Sequence, residues 1–376
     1  MKICFIIEYY SPHIGGGEVL FQNLAVGLVK AGHQCDVVTC LLPGTEEHEK
    51  VNGVDIYRVP VPQFADRYWF TILSIPLAWQ IAKKADVIHT MTYNGAFPAW
   101  LIARLQKKPV VMLAHEVLGK KWFNLNFNFF ISFLCKLLED LVLCLPYDAY
   151  SCNSKSTMNS LKNRGIDPQK LFLAYPGIDY ELFVQKAEDQ EKKIRKQLGV
   201  RNSTFIYMYY GRPGMVKGIE YLVKAVPLIK KEIPDSKLIL ILSKRPATKY
   251  AEILRLIKEL NLEDVIVLDP VPRKLLPYYI QASDCVVVPS INEGFGFTCV
   301  EACAMGKPVV ATNVGSLPEV ISGKYVLVSP GNAEQLAEGV MNICSGRYDI
   351  SEKKVFRWEN TVQKHIEVYK KIAIPK

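Results

Sequence analysis

Four short stretches carry residue types at spacings that bond-making chemistry could use. In Gly211-Arg212-Pro213-Gly214-Met215-Val216-Lys217-Gly218, two cations five residues apart flank a Gly/Pro turn between a strand-like and a helix-like run. A guanidinium fork, an ammonium and the amides of a helix N-terminus together suit a diphosphate; two unrelated surface cations are the plain alternative. In Glu293-Gly294-Phe295-Gly296-Phe297-Thr298-Cys299-Val300-Glu301, eight residues separate two carboxylates. Glu293 belongs on the loop and Glu301 on the helix that begins near Thr298. Carboxylates are good acceptors for sugar and ribose hydroxyls, against the alternative of a helix cap and a solvated helical glutamate. Gly15-Gly16-Gly17 follows the first apolar run and opens a helix, where backbone amides can approach an anion. It is not GxGxxG, so a dinucleotide fingerprint is absent. His115, in Val111-Met112-Leu113-Ala114-His115-Glu116, stands at a strand end, where a solitary histidine is commonly structural.

The elements that must position these residues alternate along the whole chain. Apolar runs at Ile3–Ile7, Cys35–Cys40, Asp86–Thr90, Pro109–Ala114 and Asp148–Cys152 read as strands with helical segments between them. A second series follows at Thr204–Tyr210, Lys237–Leu242, Val265–Leu268, Cys285–Pro289 and Pro308–Thr312. Continuous apolar strands separated by helices predict parallel sheets covered on both faces. The fold class is therefore α/β, with two Rossmann-like parallel-sheet domains facing a cleft, whose strand ends are the default ligand site. The expected boundaries are residues 1–180 for the first domain, a polar linker at 181–200, and 201–359 for the second. A final helix within 360–376 is expected to pack back on the first domain.

The 376 residues, 49% hydrophobic and 22% charged, exclude a disordered or low-complexity chain. The net charge of +9 is spread thinly rather than gathered on a helix or tail, which argues against a nucleic-acid binder. The ten cysteines form no CxxC and sit mostly in apolar runs, as small hydrophobes in a reducing compartment do. No metal-ligand set or Asp-x-Asp motif is present. Glu8 comes too early for a signal peptide, and the most apolar stretch, Tyr68–Ala82, is below the roughly 18–20 residues needed to span a bilayer. A cytoplasmic protein is expected. Lys120 to Leu134, with Trp122, Phe123, Phe127, Phe129, Phe130 and Phe133, is either core of the first domain or an interfacial element near a membrane.

Taken together, the glycine loop, Tyr175-Pro176-Gly177-Ile178-Asp179, the Arg212/Lys217 pair, Glu293/Glu301 and Asn313-Val314-Gly315-Ser316-Leu317-Pro318-Glu319 resemble glycosyltransferase family 4 over nearly the whole chain. That resemblance implies the GT-B architecture and a retaining hexosyltransferase that uses a nucleotide-diphosphate sugar. By matching position, Arg212 and Lys217 resemble the pair that binds the donor diphosphate, and Glu301 the carboxylate that holds the nucleotide ribose. Glu293, Gly294, Phe295 and Gly296 resemble the part that contacts the transferred sugar; Gly15, Gly16, Gly17 and Gly211 are assigned with them to donor binding. His115 matches a histidine facing the reacting centre. Two departures stand out: Ser243-Lys244-Arg245-Pro246 replaces a glycine-rich turn, and Asn313-Val314-Gly315 replaces a Gly-Gly pair.

The implied donor is of UDP or GDP type and the acceptor a hydroxyl, lipid-linked or a surface-glycan precursor if 120–134 lies on a membrane. With two cations on the leaving group, no metal or other cofactor is expected. The expected place is the cytoplasmic face of a membrane or the cytoplasm. The alternatives are a GT-B sugar-nucleotide epimerase or hydrolase, and a non-catalytic sugar-nucleotide-binding protein.

Overall fold

The computed structural model describes residues 1–13, 15–125, 128–184 and 188–373, with residues 124, 188 and 189 described by their backbone alone. Ile14, Phe127 and the start of the polar run at 185–187 lie outside the described residues. The chain divides into two units, Met1–Gly177 with Phe356–Lys376, and Ile178–Val355.

In the first unit the apolar run Lys2–Ile6 becomes a central strand, paired in parallel with Gln34–Cys40 on one side and Val87–Met91 on the other. Alternation sends its side chains to opposite faces of the sheet. Ile3 and Phe5 meet Leu20, Leu24 and Leu28 of the helix Gly16–Lys30, while Cys4 and Ile6 meet alanines of the helices Ile75–Ala82 and Ala96–Leu105. Both faces are covered, and therefore the strand reads as an unbroken apolar run. Among the described residues the sheet runs His48–Val51, Val54–Val59, Gln34–Cys40, Lys2–Ile6, Val87–Met91, Val110–Ala114, Ala149–Cys152 and Leu171–Leu173.

The second sheet runs Val265–Leu268, Ser236–Leu242, Phe205–Gly211, Cys285–Val288, Val309–Thr312, Gly323–Val328 and Asp349–Ser351. The chain winds outward from Phe205–Gly211 in one direction, then from Cys285–Val288 in the other. Both sheets are parallel apart from one antiparallel edge strand each, His48–Val51 and Asp349–Ser351. The sequence reading missed these edges. The first is a hairpin closed by Asn52-Gly53, both with positive φ (51° and 83°), the chemistry a two-residue turn demands.

The final helix, Trp358–Ala373, joins the first unit through Val362, Ile366 and Tyr369. Buried polar pairs reinforce it. Ser151 shares a 2.9 Å hydrogen bond with His365 Nε2, and Tyr369 shares one of 2.5 Å with His89 Nδ1. The segment 181–200 differs from the expected linker. It lies within the second unit, where the helix Glu188–Gln197 carries a buried Arg195. That guanidinium donates to the carbonyls of Ala282 and Thr204 and pairs with Asp284, which explains how a polar run can still be anchored. The second unit ends at Val355 rather than 359. All ten cysteines are free, most of them buried.

Candidate active site

In a doubly wound sheet, the crevice between the two strands where the winding reverses lies beyond their carboxyl ends. In the second unit those strands are Phe205–Gly211 and Cys285–Val288. The loops leaving them are the ones that carry Arg212, Lys217 and Glu293. Topology, not sequence proximity, brings them together. Lys217 Nζ donates to both carboxylate oxygens of Glu293, at 3.1 and 3.0 Å, and the Ser290 hydroxyl donates to Glu293 Oε2 at 3.0 Å. Arg212 is exposed and forms no ion pair with a described residue.

Backbone contacts lock the two loops to each other. The amide of Ile291 donates to the Val216 carbonyl at 2.7 Å, and Gly218, at φ 63°, leaves no room for a Cβ, which would fall 2.0 Å from the Pro289 carbonyl oxygen. A third loop joins them. Gly315 has φ 53°, its Cβ position lies 2.1 Å from the Glu293 carbonyl oxygen, and the Ser316 amide donates to that same oxygen at 3.1 Å. One glycine therefore suffices where a pair was expected: Gly315 supplies both the left-handed backbone and the close approach.

Gly296 caps the helix Phe297–Ala304 in the left-handed region, and this helix buries Glu301 to 3% exposure. Each Glu301 oxygen has a partner: Tyr210 donates its hydroxyl to Oε2 and Arg273 donates Nη2 to Oε1, both at 3.0 Å. Burial pushes the carboxyl up from its ordinary value, and Arg273 and Tyr210 oppose that by favouring the charged form. Gly294 is buried and Gly211 exposed. Phe295 is buried and packs edge-on against Phe297 with centroids 5.1 Å apart, so its main chain, not its ring, is what a ligand could meet.

In the first unit the winding reverses between Lys2–Ile6 and Val87–Met91. Gly15 precedes the helix Gly16–Lys30, and the Glu18 carboxylate fills the place a Cβ at Gly15 would take. Gly17 likewise lies against Met91. Glu18 pairs with His13 at 2.9 Å, and the His13 ring stacks on Tyr9. His115 leaves the strand Val110–Ala114 in the same sheet. Buried Asn153 donates to the His115 carbonyl at 3.0 Å and lies 3.4 Å from its Nδ1, with Asn153 Oδ1 already accepting from Thr157. The amide group of Asn153 therefore faces the ring as a donor, which leaves the ring proton on Nε2. Glu8, buried after the first strand, has its carboxyl pushed up to about 7 by desolvation.

Sequence profiles match both units: Glycosyltransferase Family 4 over residues 14–182 and Glycosyl transferases group 1 over residues 190–364. A D-inositol 3-phosphate glycosyltransferase of Corynebacterium urealyticum is 30% identical, covering 99% of this chain and 96% of its own. An uncharacterized glycosyltransferase of Methanocaldococcus jannaschii is 29% identical over 98% of both chains. The Anabaena HepE protein, solved with UDP-glucose, superposes with a TM-score of 0.76 at 20% identity, covering 99% of this chain and 100% of its own. The chain belongs to glycosyltransferase family 4.

This glycosyltransferase has the GT-B fold of its structural neighbours. Three residues of its site escaped the sequence reading: Tyr210 and Arg273 beside Glu301, and Asn153 beside His115. Each takes its meaning from a partner distant in sequence. The 120–134 stretch splits into two parts. The 3-10 helix Gly119–Asn124 is tied down by Glu139, which accepts from the amides of Leu118 and Gly119 and from Trp122 Nε1 at 3.0 Å. The helix Phe129–Cys144 behaves differently. Phe129 and Phe130 are 75% and 72% exposed, and Phe133, Leu134, Leu137, Leu138 and Leu141 are exposed as well. Among the described residues, no helix is long and apolar enough to cross a membrane.

Proposed function

We propose that this glycosyltransferase is a retaining, metal-independent hexosyltransferase that takes its sugar from a UDP- or GDP-type donor. Its acceptor is a lipid-linked hydroxyl presented at the cytoplasmic face of a membrane. The observation that carries the donor half is the Lys217–Glu293 pair beside exposed Arg212 at the winding reversal of the second sheet. Arg212, Lys217 and the amides of the 212–218 turn stabilise the diphosphate as it leaves, a task that a divalent ion would otherwise perform. The C1–O bond to the diphosphate breaks, the acceptor oxygen bonds to C1 on the same face, and its proton ends on the departing phosphate. Glu293, with Lys217 on both oxygens, serves as an acceptor for sugar hydroxyls rather than as a nucleophile. His115, with Nε2–H outward from Asn153, is the donor nearest in role to the reacting hydroxyl groups. The glycines at 15–17, at the start of the helix Gly16–Lys30, are read as donor contacts through their amides.

Support for a UDP donor comes from the neighbour solved with UDP-glucose. The lipid-linked acceptor rests on the exposed apolar face of Phe129–Cys144, with exposed Lys120 and Lys121 close by in sequence. The curated relative's name supplies a rival, a soluble phosphorylated cyclitol.

One experiment separates these. Radiolabelled UDP- and GDP-hexoses are incubated, with EDTA throughout, with either anionic vesicles carrying polyprenyl-phosphate-linked sugars or inositol phosphate. The expected result is label in the lipid phase, with the donor's anomeric configuration retained by NMR. Label on inositol phosphate moves the acceptor to the soluble class. Free sugar released without an acceptor marks an epimerase or hydrolase, and nucleotide binding without turnover marks a non-catalytic binder. A requirement for added Mn²⁺ removes metal independence.

A further inference from the structure

Glu301 poses a physical problem. A carboxylate at 3% exposure can accept ribose hydroxyls as an anion only if something offsets the cost of burying its charge. Among the described residues, one cation pairs with it. Arg273, in the 3-10 turn Arg273–Leu275, comes from a different loop, and its Nη2 reaches Glu301 Oε1 at 3.0 Å. The guanidinium also lies over the ring of buried Phe183, 5.3 Å from its centroid. That stacking fixes the fork from below while about half of the side chain stays in solvent. The other described side chain that bonds the carboxylate, Tyr210, is held neutral by burial.

We infer that Arg273 is a positioning residue of the donor site, which keeps buried Glu301 ionised and aimed so that it accepts the nucleotide ribose through both oxygens. This rests on the reading of Glu301 as the ribose contact. The lone-pair count fits that role. Tyr210 and Arg273 use one site on each oxygen, which leaves one on each for the two neighbouring hydroxyls of a ribose. Tyr210 alone cannot do the work, because a neutral hydroxyl bonds a carboxylate without supplying compensating charge.

The test measures UDP and GDP binding to the full-length protein by calorimetry between pH 6 and 8. It compares wild type, Arg273→Met, Arg273→Lys and Glu301→Gln. Every value is taken as a ratio to wild type at the same pH, so that ionisation of the nucleotide's own terminal phosphate cancels. Without the guanidinium, Glu301 takes up a proton at higher pH. The Arg273→Met ratio should therefore worsen by roughly tenfold from pH 8 to pH 6, the limit for one linked proton being a decade per unit. Arg273→Lys should restore most of the flat profile. Glu301→Gln should bind weakly and equally at every pH.

A loss in Arg273→Met that is the same at every pH would make Arg273 a direct ligand contact and overturn the inference. So would no loss at all. Unchanged binding in Glu301→Gln would bring down the ribose assignment itself, and the inference with it. A cooperative melt that stays well above the assay temperature, lower than wild type because a buried carboxylate has lost its cation, excludes unfolding as the source of any loss.

Discussion

The two winding reversals share one topology and treat charge in opposite ways. In the second unit, three loops converge and almost every polar atom of the site has a partner: Lys217 on Glu293, Ser290 on Glu293, and Tyr210 and Arg273 on Glu301. In the first unit, the glycine loop and His115 follow strands of one sheet, and Glu8, buried after the first of them, has its carboxyl pushed up to about 7. That unit also turns a row of phenylalanines and leucines outward on Phe129–Cys144. A diphosphate and a ribose are chemically constant, so their site can be rigid and fully satisfied. The acceptor, which the proposed reading gives to the first unit, is particular to each enzyme. On the proposed function, the difference separates a half built for a fixed ligand from one built for a particular ligand.

The largest effect should come from the second unit. Arg212→Ala and Lys217→Ala should each lower kcat/KM by 10²–10³-fold, about the cost of removing one charge-stabilising group. Melting temperatures should stay near wild type, since Arg212 is exposed and Lys217 part-exposed. Turnover at the wild-type level in either would mean that this unit's order serves stability alone.

Next is a pH effect confined to the first unit. Burial lowers the His365 imidazole to about 4, against about 6.5 when unfolded. The unfolded chain therefore takes up the proton first. The stability this neutral histidine allows is complete above pH 6.5 and is lost as the pH falls toward 4, by about 3 kcal/mol. Glu8, raised to about 7, works the other way between there and its unfolded value. The measurement is hence the difference in denaturant unfolding between wild type and His365→Gln. That difference should change by the stated amount from pH 7 to pH 4, and a constant difference would refute it.

A smaller loss, about 2 kcal/mol, is expected for Gly315→Ala, which combines a left-handed backbone with a clash against the Glu293 carbonyl. Gly165→Ala, also at positive φ but with open space around it, should lose only about 1 kcal/mol. Equal losses at the two positions would show that Gly315 serves its backbone conformation only.

The least effect on folding, under about 0.5 kcal/mol, is expected from Phe129→Ser with Phe130→Ser, both largely exposed. The same pair should nonetheless abolish co-sedimentation with phosphatidylglycerol vesicles, an association that should weaken with salt. Retained vesicle binding would remove the contrast between the units. Trp122 is unsuitable for this test, because its indole holds Glu139.

Much of this was legible in the residues. The ten strands named from the sequence are apolar runs, whereas the parallel strands Val54–Val59, Leu171–Leu173 and Gly323–Val328 escaped that reading. Arg212, Lys217, Glu293 and Glu301 announce themselves by the glycines that bend their loops. Arg273 could not be read, since it lies 28 residues before Glu301 with no glycine or periodicity to connect them. Phe129–Cys144 left core and surface equally open for a different reason. A helix whose apolar residues surround it has no polar face to say which side meets water. The antiparallel edges escaped because short, exposed strands carry little hydrophobic pattern; only Asn52-Gly53 marked one of them.

The return of Trp358–Ala373 to the first sheet sets an order on the ribosome. Domains that occupy one continuous stretch can close as they emerge, the earlier before the later. Here the segment made first must wait for the segment made last. Until Tyr369 leaves the exit tunnel, His89 lacks the hydroxyl it is bonded to, and Leu24 and Phe5 face an unfilled side of their cluster. The second unit, Ile178–Val355, is by then complete. The amino-terminal half is thus the later to mature, and a nascent chain stalled before residue 358 should expose it to protease while its neighbour already resists.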